Sequence, residues 1–153
     1  MARKKGQALH IGVSNFNIDL VRQSKKLAES PIVTNQVECH PYIDQSNLIE
    51  GMRSEGVSVS AYYGMADGQV FRDPAIASIG KRYGKSSAQV VLRWLVQQGF
   101  VALSKTANPQ RAAENSNIFD FALSDEEIAD IHKLARPDGR LVDPSGLAPA
   151  WDD

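Results

Sequence analysis

The sequence predicts an α/β fold built on parallel strands. Short apolar runs, bounded by Gly, Pro or polar residues, alternate with longer segments of helical periodicity. Such runs are typical of buried strands, and their alternation with helices favours parallel strands joined by helical crossovers. The 153 residues, 42% of them hydrophobic, are enough for one domain with a core of its own.

The first half of the chain contains three predicted strands and two predicted helices. The strands lie at residues 9–14, 32–37 and 57–62. Asn17 can cap the first helix, which ends before Pro31, and Asp44 can cap the second, which ends at Gly56. Each helix carries an apolar stripe that we expect to face the core. The stripe residues are Leu20, Val21, Ser24, Leu27 and Ala28 in the first helix and Leu48, Ile49 and Met52 in the second.

The second half adds a fourth strand, at residues 100–103, and four more helices. Each helix begins at a capping residue, followed either by a proline at the first helical position or by the second member of a capping box. These pairs are Asp73 with Pro74, Ser86 with Gln89, Asn108 with Pro109, and Ser124 with Glu127. Residues 136–153 are rich in Pro, Gly and Asp and predict an irregular tail.

The number of strands leaves two architectures open. A closed (β/α)8 barrel needs eight strands and typically ~250 residues. An open sheet of four parallel strands has two unprotected edges. The pattern therefore leaves a choice between a small open α/β domain and half of a barrel. In either case we expect one domain over residues 1–153.

Charge and composition argue against several classes of function. The 17 Lys and Arg balance 18 Asp and Glu, giving a net charge of −1, whereas nucleic-acid binders usually have a basic surplus. The basic run from Ala2 to Lys5 is interpreted as a solvated terminus. No apolar stretch approaches the ~20 residues of a membrane span, and no secretory pattern follows the basic start. A single Cys favours a reducing compartment, so we expect a cytoplasmic protein.

The sequence contains no familiar metal, phosphate-loop or nucleophile motif. Neither G-x-G-x-x-G nor the Walker A pattern occurs. His10, His40 and His132 lack the spacing of metal ligands, so we predict no metal site. Cys39 and His40 are adjacent, and adjacent strand residues point to opposite faces, which disfavours a catalytic pair.

Polar residues at the carboxyl ends of the strands are better candidates, because ligands bind there in parallel α/β folds. Ser14 and Asn15 end the first strand, and Asn35 and Gln36 lie within the second. Amide side chains complement a carboxamide ligand; the alternatives are a helix cap and a satisfied core amide. Tyr62, at the end of the third strand, can stack on a flat aromatic ligand or simply pack in the core.

The fourth strand leads into a basic segment. Lys105 and Arg111 bracket a predicted helix N-terminus, and Thr106 adds a hydroxyl. Free N–H groups and the helix dipole favour an anion at such a place, so this segment is suited to a phosphate. The alternative interpretation is a solvated basic turn.

Five stretches of the chain together resemble one known family, the aldo-keto reductases. Their order and spacing agree over about residues 6–135. The stretches are residues 11–16 (IGVSNF), 35–42 (NQVECHPY), 61–62 (AY), 105–115 (KTANPQRAAEN) and 119–127 (FDFALSDEE). The resemblance implies a TIM-barrel-type (β/α)8 fold that binds NADP(H) in extended form. This chain would supply the C-terminal half of that barrel, strands five to eight, with a C-terminal helix and tail.

The resemblance also implies a role for nine residues as cofactor ligands. Ser14, Asn15 and Gln36 would bind the nicotinamide carboxamide, and Tyr62 would stack on the nicotinamide ring. Lys105, Thr106 and Arg111 would hold the 2′-phosphate, while Glu114 and Asn115 would contact the adenine.

Two departures from the family pattern limit the resemblance. Tyr63-Gly64-Met65 stands where the family has Ser-Pro-Leu on a loop over the pyrophosphate, and Ser104 replaces a common proline. The family's catalytic Asp, Tyr, Lys and His lie on its first four strands, so no catalytic residue is assigned here. Tyr63 could replace the missing catalytic tyrosine as the general acid only with a lysine beside it, and the sequence identifies no such lysine.

The resemblance predicts an oxidoreductase that reduces aldehydes or ketones to alcohols, taking a small carbonyl substrate. Without the catalytic set we expect the chain alone to be inactive or nearly so, because general acid catalysis contributes ~10²–10⁴-fold. Two alternatives remain open. One is a non-catalytic half barrel that pairs with itself as a homodimer to cover its sheet edges. The other is a truncated reading frame with no independent activity.

Overall fold

Strands and helices alternate along the chain in the computed structural model, which describes residues 3–152. One sheet contains β1 (Ile11–Ser14), β2 (Ile32–Glu38), β3 (Ser58–Tyr62) and β4 (Val101–Ala102), in the order β1-β2-β3-β4. The helices are α1 (Ile18–Leu27), α2 (Ser46–Ser54), α3 (Pro74–Tyr83), α4 (Ser87–Gln97), α5 (Pro109–Ser116) and α6 (Asp125–His132). The predicted α/β fold with a parallel sheet is confirmed. Residues 1, 2 and 153 of the expected domain, including Ala2 of the basic run, lie outside the described residues.

The register between β1 and β2 places two candidate site residues side by side. The strands are parallel, with Ile11 opposite Ile32 and Ser14 opposite Gln36, and an irregularity between Ile11 and Val13 shifts the register. An extra residue of this kind bends a strand and re-aims the side chains that follow it. Ser14 therefore reaches the end of β1 next to Gln36.

The chain forms two compact units, and each is described by itself. The first comprises Met1–Val37, Gln45–Ser60 and Val142–Asp153. Its core is mainly apolar, and its buried polar residues are Asn35, Gln45 and Ser60. The Asn35 side-chain amide is fully buried and donates to the Phe16 carbonyl oxygen at 2.7 Å. The buried apolar residues of this unit are Val21, Ile32, Val37, Leu48, Met52, Val57 and Val59.

The tail of the first unit docks on the start of α1. Asn17 caps α1 as predicted, because its Oδ1 accepts from Leu20 N at 2.8 Å. Its Nδ2 donates to the Ala150 carbonyl oxygen at 2.8 Å, and an Asp152 carboxylate oxygen accepts from Ile18 N at 2.9 Å. Residues 142–152 form turns without a helix or strand. A carboxylate at a helix N-terminus is favourable, so the tail stabilises α1.

The second unit, Glu38–Asp44 with Ala61–Leu141, has its core on α3 and α4. Both predicted capping boxes are present, at Ser86 with Gln89 and at Ser124 with Glu127, and Gly84 ends α3 in the left-handed conformation. The buried apolar residues include Val70, Ile76, Ile79, Val90, Val91, Leu92, Trp94, Leu95, Phe100, Ile118, Leu123 and Ile131.

Two expectations about the first half of the chain are wrong. Asp44 does not cap α2, because the N-cap is Gln45, which makes no side-chain capping bond. Leu27 was expected on the buried stripe of α1 but is 84% exposed. At about 100° per residue, Leu27 lies roughly 120° around the helix from the buried Val21.

The first and last strands are shorter than predicted. Pairing of β1 begins only at Ile11, so Leu9 precedes the strand and is exposed. β4 has two residues instead of four, and Val101 is half exposed. β4 ends the strand order, and its neighbour is β3, where Leu103 N donates to the Ala61 carbonyl oxygen at 3.0 Å. A strand with one neighbour buries less of its surface.

None of the helices within residues 3–152 has the length and apolar character required to cross a bilayer.

Candidate cofactor site

A cavity of about 450 Å³ opens in the second unit beside the start of α4 and one face of α5. This volume lies within the range of small-molecule sites in proteins. Five of the nine predicted cofactor ligands line it, namely Lys105, Thr106, Arg111, Glu114 and Asn115. The other lining residues are Met65, Phe71, Ser86, Ala88 and Ser104.

Local hydrogen bonds fix the segment that carries the two cations. Asn108 is the N-cap of α5, and its Oδ1 accepts from Gln110 N at 2.9 Å and from Arg111 N at 3.2 Å. Thr106 Oγ1 accepts from Asn108 N at 3.1 Å. The expectation of free N–H groups at this helix start is therefore wrong, because Asn108 already occupies them. Attraction for an anion depends on the Lys105 and Arg111 side chains.

The charged groups of the cavity wall are two cations and one carboxylate. Lys105 and Arg111 are exposed, and neither forms an ion pair with any residue in the described part of the chain. The Glu114 carboxylate accepts from Gln110 Nε2 at 3.3 Å. An ammonium, a guanidinium and the Thr106 hydroxyl are donors suited to a phosphate group.

Ser104, a departure from the family pattern, contacts a predicted ligand. Its Oγ accepts from Asn115 Nδ2 at 3.0 Å. One N–H donor of the Asn115 amide is therefore used within the chain, while the residue still lines the cavity.

The segment after Tyr62 takes an unusual backbone path. Residues Ala66–Phe71 form a kinked 3₁₀ segment, and Tyr63, Ala66 and Asp67 have positive φ angles of 62°, 46° and 53°. Non-glycine residues rarely adopt this conformation. The path brings Met65 and the half-exposed ring of Phe71 to the cavity wall.

Three further candidates meet within the first unit. Ser14 Oγ donates to the Gln36 carbonyl oxygen at 3.0 Å, and Asn15 N donates to the same oxygen at 2.9 Å. Gln36 is half-buried, so the buried amide of β2 is its neighbour Asn35. The carboxyl ends of β1 and β2 therefore present Ser14, Asn15 and Gln36 together.

Tyr62 is neither among the residues that line the cavity nor among those grouped at the ends of β1 and β2. It is half-buried at the end of β3, and its carbonyl oxygen accepts from Cys39 N at 3.0 Å.

Comparison with known proteins decides the family. The sequence model of the aldo/keto reductase family matches residues 1–136. The chain belongs to the aldo/keto reductase family.

Individual relatives support the same assignment and its fold. Methylglyoxal reductase DkgB of Yersinia pestis is 34% identical over 152 residues, covering 99% of this chain and 57% of the relative. A solved structure of a protein provisionally assigned as 2,5-diketo-D-gluconic acid reductase B is 52% identical, with a TM-score of 0.95 over 99% of this chain and 54% of the other. A Gox0644 mutant in complex with NADPH is 32% identical, with a TM-score of 0.87 over 93% of this chain and 52% of the other.

The chain spans about half the length of the relatives it matches. Its parallel α/β fold therefore matches about half of the (β/α)8 barrel of aldo/keto reductases, as a partial barrel would.

Five of the ten residues that line this aldo/keto reductase cavity are not among the predicted cofactor-binding residues. Ser86 had a signal, because its capping box places it at the start of α4. Met65 had a partial signal, because it stands in the segment that departs from the family's loop over the pyrophosphate. Asp67-Gly68, in which both φ angles are positive, is a turn dipeptide ahead of Phe71, but it does not indicate that Phe71 reaches the cavity.

Cys39 and His40 have structural roles in the second unit. Burial, together with the Glu38 carboxylate, raises the pKa of the Cys39 thiol to about 12. His40 is fully buried; its Nδ1 accepts from Tyr42 N at 3.2 Å, and its Nε2 donates to Glu38 Oε1 at 2.9 Å. Among the described residues no three His, Cys, Asp or Glu side chains are grouped as a metal site.

We expect Cys39 to resist alkylation in the folded chain at neutral pH, because the thiolate is the reactive form and the thiol is buried. Mass spectrometry after treatment with iodoacetamide should show modification in urea and almost none in its absence. Equal rates of modification in both conditions would contradict the raised pKa and the burial.

Proposed function

We propose that this aldo/keto reductase chain binds NADP(H) and places the adenosine 2′-phosphate end of the cofactor in the cavity of the second unit. The observation that carries the proposal is the convergence of Lys105, Thr106 and Arg111 on one cavity of ligand size. Relatives crystallised in complex with NADPH support the choice of cofactor.

In this proposal the cations and the hydroxyl bind the 2′-phosphate. Lys105 and Arg111 supply charge-assisted hydrogen bonds, and Thr106 supplies a neutral one. Glu114 and Asn115, on the same face of α5, contact the adenine. Glu114 can accept from an exocyclic amino group, and the Asn115 amide has both donors and an acceptor.

The nicotinamide end is assigned to the strand ends. Ser14, Asn15 and Gln36 would bind the carboxamide, which is supported by their grouping at the ends of β1 and β2. Tyr62 would offer its ring face to the nicotinamide.

The activity that we propose for the whole protein is reduction of an aldehyde or ketone to an alcohol. Bound NADPH supplies the hydride, and this chain's residues hold and orient it. We assign no catalytic acid within this sequence, so we expect the purified 153-residue chain to show little or no carbonyl reduction. Measurable turnover of a carbonyl substrate by this chain alone would contradict that assignment. We also place the protein in the cytoplasm.

Parallel fluorescence titrations with NADPH and NADH test the proposed function. We expect tighter binding of NADPH, and we expect that preference to weaken at high salt because the cations are exposed. Arg111→Ala should weaken NADPH binding by roughly tenfold, since charge-assisted bonds to phosphate are strong.

Lys81→Ala is the matched control, because Lys81 is an exposed cation of the second unit that does not line the cavity. It makes the same change in net charge and should leave NADPH affinity nearly unchanged. Equal affinity for NADPH and NADH in the wild-type chain would remove Lys105 and Arg111 from the assignment.

A second candidate function is a non-catalytic half barrel that pairs with another copy of itself. The observation that favours it is the exposure of Val101 in β4, the last strand of the sheet order, and of Leu103, which directly follows that strand. Sedimentation equilibrium should then give the mass of a dimer, and a monomer at micromolar concentration would exclude it.

The third possibility, a truncated reading frame, makes a different prediction. The DNA upstream of Met1 would then encode four more strands with an Asp-Tyr-Lys-His set, in frame or one frame away.

A further inference from the structure

Gln89 joins two walls of the cavity through a completely used side-chain amide. Its Oε1 accepts from Ser86 N at 3.0 Å. Its Nε2 donates to the carbonyl oxygens of Glu114 and Asn117, each at 3.0 Å. An amide has two N–H donors and one carbonyl oxygen, so this buried side chain is satisfied by the start of α4 and the end of α5.

The helix held by Gln89 has little else to hold it in place. None of the eight residues of α5 is buried, and a helix this short is marginal in isolation. Its position therefore depends on the buried Ile118, which follows its C-cap, and on polar contacts at its ends. Besides Gln89, these are the Asn115 bond to Ser104 and the bond from Lys85 Nζ to the Asn117 carbonyl oxygen at 3.2 Å.

The cavity wall formed by α5 contains three predicted ligands, Arg111, Glu114 and Asn115. Gln89 does not line the cavity, so it would not touch a cofactor bound there. It bonds to the backbone of Glu114 itself. A small displacement of α5 would move these three cofactor-binding residues together relative to Lys105 and Thr106.

We infer that Gln89 is a positioning residue for the 2′-phosphate and adenine of the cofactor, acting through α5. This inference rests on the proposed function. It makes affinity for NADPH, and the preference for NADPH over NADH, depend on a buried amide outside the cavity.

Gln89→Met and Gln97→Met form a matched pair of variants. Gln97 is on the same helix, and its amide also bridges to the backbone, accepting from Leu123 N at 2.7 Å and donating to the Leu123 carbonyl oxygen at 3.0 Å. Leu123 precedes α6 and is not at the cavity. Both variants lose comparable hydrogen bonds, so a purely structural role predicts similar losses of thermal stability and no selective loss of binding.

We expect Gln89→Met to weaken NADPH binding by about tenfold, and to reduce the preference for NADPH over NADH, because the Glu114 and Asn117 carbonyl oxygens each lose a side-chain donor that fixes α5 against α4. Gln97→Met should change NADPH affinity by less than about twofold. Gln89→Glu is a second variant should the methionine variant fail to fold. It keeps the size and the acceptor for Ser86 N but loses both donors, and we expect a similar selective loss.

Wild-type affinity for NADPH in a folded Gln89 variant would overturn the inference, as would equal losses of affinity in the Gln89 and Gln97 variants. Either result leaves the proposed function standing. A wild-type chain that binds NADPH no better than NADH would overturn the proposed function, and the inference with it.

Discussion

Replacing His40 with phenylalanine is expected to lower the free energy of unfolding by about 3 kcal/mol. The His40 ring is fully buried and makes two hydrogen bonds, donating to Glu38 and accepting from the backbone of Tyr42. Phenylalanine fills the space but leaves Tyr42 N without its acceptor and the buried Glu38 carboxylate with one donor fewer. Urea unfolding followed by circular dichroism measures the change.

Two further variants isolate the cause. Glu38→Gln keeps an acceptor for His40 Nε2 and for Leu141 N, which donates to Glu38 Oε1 at 2.7 Å. It should therefore cost less, about 1 kcal/mol. His10→Phe, at an exposed histidine, should change stability by less than about 0.5 kcal/mol. A loss below 1 kcal/mol in His40→Phe would contradict the structural role given to this residue.

Alanine at Gly139 is expected to destabilise the chain by a comparable amount, about 3 kcal/mol. A Cβ at this position would overlap the carbonyl oxygen of Tyr42. That oxygen also accepts from Arg136 N at 3.2 Å, and the Arg136 guanidinium lies 5.1 Å from the centre of the Tyr42 ring. Because backbone would have to move, the turn from Arg136 to Gly139 should separate from Tyr42. Thermal unfolding with hydrogen exchange of residues 136–141 measures both effects.

Gly64→Ala is the control for this prediction. A Cβ at Gly64 would approach the tip of Leu95 at 3.2 Å, and a side-chain tip can move where a backbone oxygen cannot. We expect a loss of less than about 1 kcal/mol. Equal stability of the Gly139 and Gly64 variants would show that the close approach to Tyr42 is not a constraint.

The parts of the fold set by local chemistry could be predicted from the sequence. Asn17, Asp73 and Asn108 cap their helices through bonds to residues two or three positions ahead. Both capping boxes formed for the same reason. Parallel pairing followed from the alternation of strands and helices.

Other features depend on contacts that are distant along the chain. The start of α2 at Ser46 has no side-chain cap to mark it. Burial of Leu27 and Val101 depends on what packs against them, and little does. The left-handed residues Tyr63 and Ala66 carry side chains that disfavour that conformation, so no local pattern predicted their path.

In the candidate site, too, some residues are predictable from the local sequence and others depend on distant contacts. Lys105, Thr106 and Arg111 follow one another closely along the chain, and their residue types alone indicate a phosphate there. The reason was partly wrong, since Asn108 occupies the helix N–H groups that were expected to be free. Gln89 was identified only as part of a capping box. Its bonds to Glu114 and Asn117 span 25 and 28 residues.

The central claim is that the 2′-phosphate end of NADPH binds in the cavity beside α5. Titration of the isotope-labelled chain with adenosine 2′,5′-bisphosphate, followed by NMR of the backbone amides, tests it most directly. We predict the largest shifts at residues 104–106 and 111–115 and at Ser86, with much smaller shifts when adenosine 5′-monophosphate is used. NADPH binding with no shifts in these residues would contradict the account.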